Sequence, residues 1–533
     1  MSLPPGYPGP LHPALAAGEG WRLPTRLNMA EEVCDRWAEA DPDRPAILEP
    51  ASGELAVTTY GELRAMADAL ARALAARGVG RGDRVGVLRA QSPWTAAAHV
   101  AIWKLGAISI PLFVLFGERA LAERLADSGA RAVVADPESG PRLSGLSGEL
   151  PALSGILVPE EMALGPGGPP MIPAATGPED AAVLIYTSGT TGGPKGALHG
   201  HRVLRGHLPG VEMSHDLLPR AGDVLWTPAD WAWIGGLFDV LMPGLFHGVP
   251  VVAARMRKFT PEGCVEIVRS CGVRNVFFPP TALRALKAAD LRLPGLRSVA
   301  SGGEPLGAEM LAWGRRAFGL TINEFYGQTE CNMVVSSCAA LFEPVPGCMG
   351  RAVPGHEVAV IDEAGRPAEG EGDIAVRRGS AAMFLGYWGG PEASAARFRG
   401  AWMLTGDRGR CEGAAIRFVG REDDVITSAG YRIGPGEVED CLLTHAAVAS
   451  AGVVGTPDPA RTEAVTAFVV LREGHAPSDA LRAQLRSHVR EHLGAHEYPR
   501  LVHFVEDLPM TVTGKVIRRA LRARAAELAE EEA

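Results

Sequence analysis

Short apolar runs separated by segments of helical period constrain this chain most. "GDRVGVLRA" from Gly82 follows an Ala/Leu/Arg-rich stretch of helical period from Leu63 to Arg77. "ARAVVAD" from Ala130, "AAVLIYTSG" from Ala181, "GVPVVAA" from Gly248, "VRNVFFPP" from Val273 and "LRSVASGG" from Leu296 continue the series. Strands alternating with helices predict parallel α/β sheets with helices on both faces. In such sheets ligands sit where strands end and loops begin.

The character changes after about Gly350. "HEVAVIDEAGRPAEGEGDIAVRR" alternates polar and apolar residues around turns, which predicts antiparallel strands and a small β-barrel. "VASAGVVGTPD", "AVTAFVVLRE" and a helix near Ala480 to Leu493 predict a compact α+β unit. With 533 residues, more than one domain is expected. The reading is a large α/β domain over 1–422 and a small, mobile α+β domain over 423–533, with the boundary at Asp423. Residues 1–20 and 163–178, rich in Pro and Gly, are expected to be loops.

Composition removes several classes. A net charge of −10 gives no electrostatic reason for a nucleic-acid partner. The most apolar run, "AISIPLFVLF" from Ala107, is about half of the roughly 20 residues a spanning helix needs. "MSLPPGYPGPLHP" lacks a charged start followed by an apolar stretch, so no secretory signal is expected and the cytoplasm is the expected place. The eight cysteines include no Cys-x-x-Cys pair, which argues against a zinc site or a disulfide framework.

The segment "YTSGTTGGPKGALHGHR", from Tyr186, stands directly after an apolar run. Thr187, Ser188, Thr190 and Thr191 supply hydroxyls. Gly189 and Gly192 let backbone N–H groups approach a ligand, and Lys195 adds one cation. Small residues, hydroxyls and a lysine together suit a polyphosphate. The segment is not a Walker A loop, because Lys195 follows Pro194 and precedes Gly196. No Gly-x-Ser-x-Gly elbow is present, which removes the usual serine-hydrolase pattern.

"YTSGTTGGPKG" resembles the phosphate loop of the acyl-adenylate-forming superfamily. "SGGEPL" (301–306), "EFYGQTE" (324–330), "LTGD" (404–407), "GREDDVITSAGYRIGPGEVE" (420–439) and "LPMTVTGKVIRR" (508–519) resemble the other signatures of that superfamily, in its order. The resemblance implies a two-step reaction. A carboxylate attacks the α-phosphorus of ATP, giving an acyl-adenylate and pyrophosphate, and a thiol then displaces AMP. It further implies ATP, Mg²⁺ and coenzyme A, and a small-molecule carboxylic acid as substrate.

By the same resemblance, residues Thr187 to Lys195 hold the β- and γ-phosphates, Glu330 holds Mg²⁺ and Thr329 donates to the α-phosphate. Gly303, Glu304 and Pro305 lie against adenine with Glu324, Phe325, Tyr326, Gly327 and Gln328, Tyr326 stacking on or flanking it. Asp407 accepts from both ribose hydroxyls and Arg421 adds a donor. Lys515 stabilises charge in the adenylation transition state. Asp423 is the hinge, and Ala429, Gly430, Tyr431 and Arg432 belong to the thioester step. Trp233, Ile234, Gly235 and Gly327 line the acyl pocket. A bulky residue at the position of Gly327 caps that pocket in acetate-specific relatives. Glycine there is therefore expected to leave volume for a medium-chain or branched aliphatic acid. An aromatic, benzoate-type acid and a stand-alone enzyme loading a carrier protein are the alternatives. Asp239 does not match the aspartate that holds an ammonium group in amino-acid-activating relatives. Cys331 is expected to be a packed thiol.

Overall fold

The computed structural model describes residues 15–16, 20–51, 54–162, 164, 168–187, 194–421, 424–428, 431–458, 462–493, 497–511 and 515–531. Two large sheets form the body. One has seven strands. Its centre, Arg84–Leu88 flanked by Ile108–Pro111 and Ala132–Ala135, is parallel and buried. The other has nine, with a parallel run that includes Asn275–Phe277, Ser298–Gly302 and Ile322–Gln328. The continuous apolar runs of the sequence are these strands, because a strand covered on both faces has no polar side to show.

Helices between strands are stopped and started by local chemistry. Tyr60–Ala75 begins at Thr59, whose side chain accepts from the Glu62 backbone while the Glu62 carboxylate accepts from the Thr59 N–H. Ser92 caps Pro93–Lys104 in the same sense. That helix is buried nearly all round, and the charge of Lys104 is met by Asp35 at 2.7 Å and Asp68 at 2.5 Å. A charge so enclosed persists only when paired.

The segment expected to form a small barrel is an antiparallel five-stranded sheet. Its ladder runs from Val358–Ile361 through Glu371–Arg377 and Trp402–Glu412, with Ala415–Arg421 and Phe398–Arg399 beside the last. Ile416 on the Ala415–Arg421 edge exchanges backbone hydrogen bonds with Met349 and Gly350, on the segment that leads into Val358–Ile361 at the other edge. The small domain follows. Val448–Asp458 and Thr462–Leu471 form its long hairpin, and Asp479–His492, capped by Ser478, packs on it through Leu481, Leu485 and Val489. One strand ends at Arg421 and the next starts at Ile426. Asp423 lies outside the described residues.

Among the described residues no helix is long and apolar enough to cross a membrane.

Candidate active site

Strand ends from both large sheets and from the antiparallel sheet face one another, and a turn of the small domain faces them. Lys195–Gly200 pairs antiparallel with Ala181–Thr187, placing Lys195 opposite Thr187. Residues 188–193, the core of the glycine loop with Ser188, Gly189, Thr190, Thr191 and Gly192, lie outside the described residues. The Lys195 ammonium stands 5.7 Å from the centre of the Tyr387 ring. The Tyr387 hydroxyl donates to Glu330 Oε1, and the backbone N–H of Phe384 donates to the Glu330 carbonyl at 2.7 Å. Strand Gly386–Tyr387 is hydrogen-bonded to Lys195–Gly200, so one ladder fixes Lys195, Tyr387 and Glu330 together.

A second group lies on the antiparallel sheet. The Tyr326 hydroxyl donates to Asp407 Oδ2. Asp407 faces Arg421 across the ladder. Gln328 Nε2 donates to the Thr405 carbonyl at 3.0 Å, and Arg397 donates to Gln328 Oε1 and to the same carbonyl. Burial raises the Asp407 carboxyl above its ordinary value, against the Tyr326 hydrogen bond and the charges of Arg421, Lys515 and Arg397.

The third group is the turn after Ser298–Gly302. Gly303 has φ +102°, a conformation that glycine adopts without strain. A Cβ there would lie 3.4 Å from the Trp233 ring and 3.9 Å from Lys515 Cε. Glu304 pairs with Arg284 at 2.7 Å. Lys515 is held in its turn by its own N–H donating to Thr511 Oγ1 at 3.0 Å and by the Thr511 N–H donating to the Lys515 carbonyl at 2.7 Å. By area Lys515 is exposed, and its Cε lies 3.9 Å from the Cβ position of Gly303 across the cleft. Desolvation lowers its pKa, and the charges of Glu304 and Asp407 work the other way. Residues distant in sequence, Lys515, Gly303, Glu304 and Asp407, thus share one cleft.

Other expected residues fall differently. Thr329 lies in the turn before Glu330. Phe325 turns its ring inward, 5.0 Å from Phe277 and over Gly302, leaving its backbone toward the cleft. Tyr431 and Arg432 begin the strand Tyr431–Ile433 of the small domain. Ala429 and Gly430 lie outside the described residues. Cys331 is packed, its thiol pushed up to about 12 by burial. Tyr387, Arg397, Arg284 and Asn332 escaped the reading of the sequence. Only the aromatic pair between glycines in "LGYWGG" hinted at Tyr387.

The expectation for Gly327 is corrected. A Cβ on Gly327 would lie 2.2 Å from the Asn332 carboxamide oxygen and 2.7 Å from Asn332 Cα. The space beside this glycine is already filled, because the turn through Glu330 brings Asn332 back against it.

Glu324 and Asp440 form part of an acidic seam between the domains. Asp440 Oδ2 lies 3.3 Å from the Cβ position of Gly307. Burial first, and then Asp440, push the Glu324 carboxyl up to about 8, against the Leu306 N–H and Arg417. Asp440 is pushed up to about 7 by burial and by Glu439. A carboxyl raised in the fold stabilises it fully below the ordinary carboxylate range, and that contribution is lost as pH rises through the folded value. Glu324→Gln should therefore flatten the fall in melting temperature between about pH 5 and pH 8 and raise it by a few degrees at the upper end. Calorimetry across that range checks this; an unchanged slope rejects it.

The family described as AMP-binding enzyme matches residues 34–388, and the AMP-binding enzyme C-terminal domain matches residues 437–515. The chain is 34% identical over 523 residues to acetyl-coenzyme A synthetase of Bacillus subtilis (strain 168), covering 93% of this chain and 90% of that protein. It is 34% identical over 532 residues to the mitochondrial acyl-coenzyme A synthetase ACSM4 of Rattus norvegicus, covering 94% and 91%. Among solved structures, an anthranilate CoA ligase in complex with anthranoyl-AMP superposes with a TM-score of 0.85 at 27% identity, covering 96% of this chain and 99% of that one. A benzoate CoA ligase from Burkholderia xenovorans LB400 gives 0.81 at 28%, covering 93% and 99%. The chain belongs to the AMP-binding enzyme family, in its acyl-CoA synthetase branch, and is an AMP-forming acid–thiol ligase.

Proposed function

We propose that this enzyme activates an apolar carboxylic acid, medium-chain or branched, as an acyl-adenylate and then passes the acyl group to coenzyme A. In the first step a carboxylate oxygen bonds to the α-phosphorus of ATP and the bond to the bridging oxygen breaks, releasing pyrophosphate. In the second a thiolate attacks the acyl carbon and AMP leaves. Attack at phosphorus asks the protein for placement and charge neutralisation more than for covalent help.

The observation that carries this reading is the seat of Lys515 beside Gly303, with Glu304 and Asp407 near it. In that seat the ammonium would meet the carboxylate and the α-phosphate as negative charge gathers between them. Asp407 would accept from the ribose hydroxyls, since one ionised carboxylate offers room for both. Lys195 and Thr187 stand on the pyrophosphate side.

Glu330 fits a nucleotide-borne magnesium ion. Its Oε1 accepts from Tyr387, and Oε2 has no hydrogen bond among the described residues. Mg²⁺ takes one or two carboxylates and otherwise waters and phosphate oxygens. Bound there, it would neutralise charge on the departing pyrophosphate. Among the described residues no group of three or more His, Cys, Asp or Glu makes a protein-only cage.

An aromatic acid is the second reading. It is favoured by the Trp233 ring, which stands beside Gly303 and is backed by Phe277 at 5.6 Å. A panel of acids in one pyrophosphate-release assay, followed by addition of CoA, tests the proposal. Acid-dependent release and CoA-dependent thioester are expected. Thioester on a carrier protein but not on CoA would reassign the acceptor, and release with no acid at all would end the reading.

A further inference from the structure

The acyl cleft, on the reading just given, lies between two walls. One is the helical segment that starts at Ile234 and continues through Asp239 to His247; the other is the strand Ile322–Gln328 with the turn after it. Glycines in these walls, and Gly302 on the strand beside Ile322–Gln328, have side chains of other residues in the places their own would take. Phe277 and Trp233 carbons lie 3.0 Å from the Cβ position of Gly235, and the Phe325 ring 2.5 Å from that of Gly302. Asn332 does the same at Gly327. Three of these fillers, Phe277, Trp233 and Phe325, are aromatic and one is polar.

The polar one is locked. Asn332 Nδ2 donates to Asp239 Oδ1 at 2.9 Å and to Oδ2 at 2.8 Å, and His207 Nδ1 is 2.9 Å from Asp239 Oδ1. Asp239 is 2% and Asn332 4% exposed. These hydrogen bonds tie the helical wall to strand Cys331–Ser336, which returns antiparallel along the Ile322–Gln328 wall beside Gly327. A carboxylate buried there is tolerable only while its donors stay in place. A long acyl chain pushing past Gly327 would have to move Asn332 and strand Asp239.

We propose that Asn332 is the specificity-determining residue of the acyl cleft: pinned by Asp239, it closes the end beside Gly327 and restricts the acid to compact skeletons, a short branched chain or a single ring. Asp239 is a positioning residue that acts through it. The inference rests on the reading of this cleft as an acyl site and selects among the acids that reading allows.

The test is kcat/KM for acid-dependent ATP–pyrophosphate exchange with isobutyrate, benzoate, hexanoate and octanoate. The parent should prefer isobutyrate or benzoate to octanoate. Asn332→Gly should raise the octanoate-to-isobutyrate ratio at least tenfold, at about fourfold per methylene newly admitted. Asp239→Asn should move the ratio the same way while leaving KM for ATP within about twofold. An unchanged ratio in folded Asn332→Gly overturns the inference. Affinities of non-reactive isobutyryl and octanoyl sulfamoyl-adenosines for the parent give a readout that needs no variant, and equal affinities overturn it too. A parent that exchanges with octanoate at least as well as with isobutyrate and benzoate sinks this inference alone. Exchange with no acid sinks the acyl-site reading and the inference with it.

Discussion

Lys515→Ala should slow acid-dependent pyrophosphate release by about 10²–10³-fold, the usual loss when one donor to a developing charge is removed. Thioester formation from supplied acyl-adenylate should fall by less than about fivefold, because the charge met by this ammonium develops only while the phosphorus is under attack. The split between the half-reactions separates a catalytic lysine from a structural one. Lys515 touches its own turn through backbone groups and Thr511, so removing the side-chain ammonium leaves those bonds intact. Equal losses in both half-reactions would point to a damaged domain, and normal adenylation would remove the role. Lys515→Arg keeps the charge, yet the planar fork cannot occupy the same point beside Gly303 and Trp233, so only partial recovery is expected.

Asp407→Asn should raise KM for ATP by about ten- to a hundredfold, since hydrogen bonds to a charged acceptor are worth roughly 1.5–3 kcal/mol each. Tyr326→Phe is the contrast. It removes the hydroxyl that donates to Asp407 and leaves the carboxylate in place. The ribose acceptor survives, so the rise should stay under about fivefold. Steady-state kinetics with ATP and with a 2′,3′-dideoxy analogue checks the assignment. If the dideoxy analogue is used equally well by parent and Asp407→Asn, the carboxylate is placed on the ribose. If both variants lose the same factor with ATP, Tyr326 and Asp407 act as one structural pair.

The two large predictions concern residues that the sequence marked, but for different reasons. Asp407 sits in "LTGD" and Lys515 in "TVTGK", and either motif alone describes an ordinary turn. Their order along the chain, after the glycine loop and "FYGQTE", carried the expectation. Side chains that support them were not legible. Tyr387 reaches Glu330 and Arg397 reaches Gln328 across strand pairings that no local pattern specifies. Glu324 reads as an ordinary acid in the sequence, and its raised pKa depends on an opposing domain.

Period and punctuation were enough to place the strands and helices of the body, since a run buried on both faces or a capped amphipathic helix is written in neighbouring residues. The strands Val448–Asp458 and Thr462–Leu471 and the helix Asp479–His492 match the stretches read from composition and period alone. How the antiparallel segment curls is decided by pairings between distant strands, such as those of Ile416 with Met349 and Gly350. Gly327 shows the same limit at one residue. The sequence determined that a side chain is missing there, while only the folded chain decided that Asn332, five positions on and held by Asp239 from another element, occupies the space. Cavities are what remains after packing, and packing is settled by residues far apart in the chain.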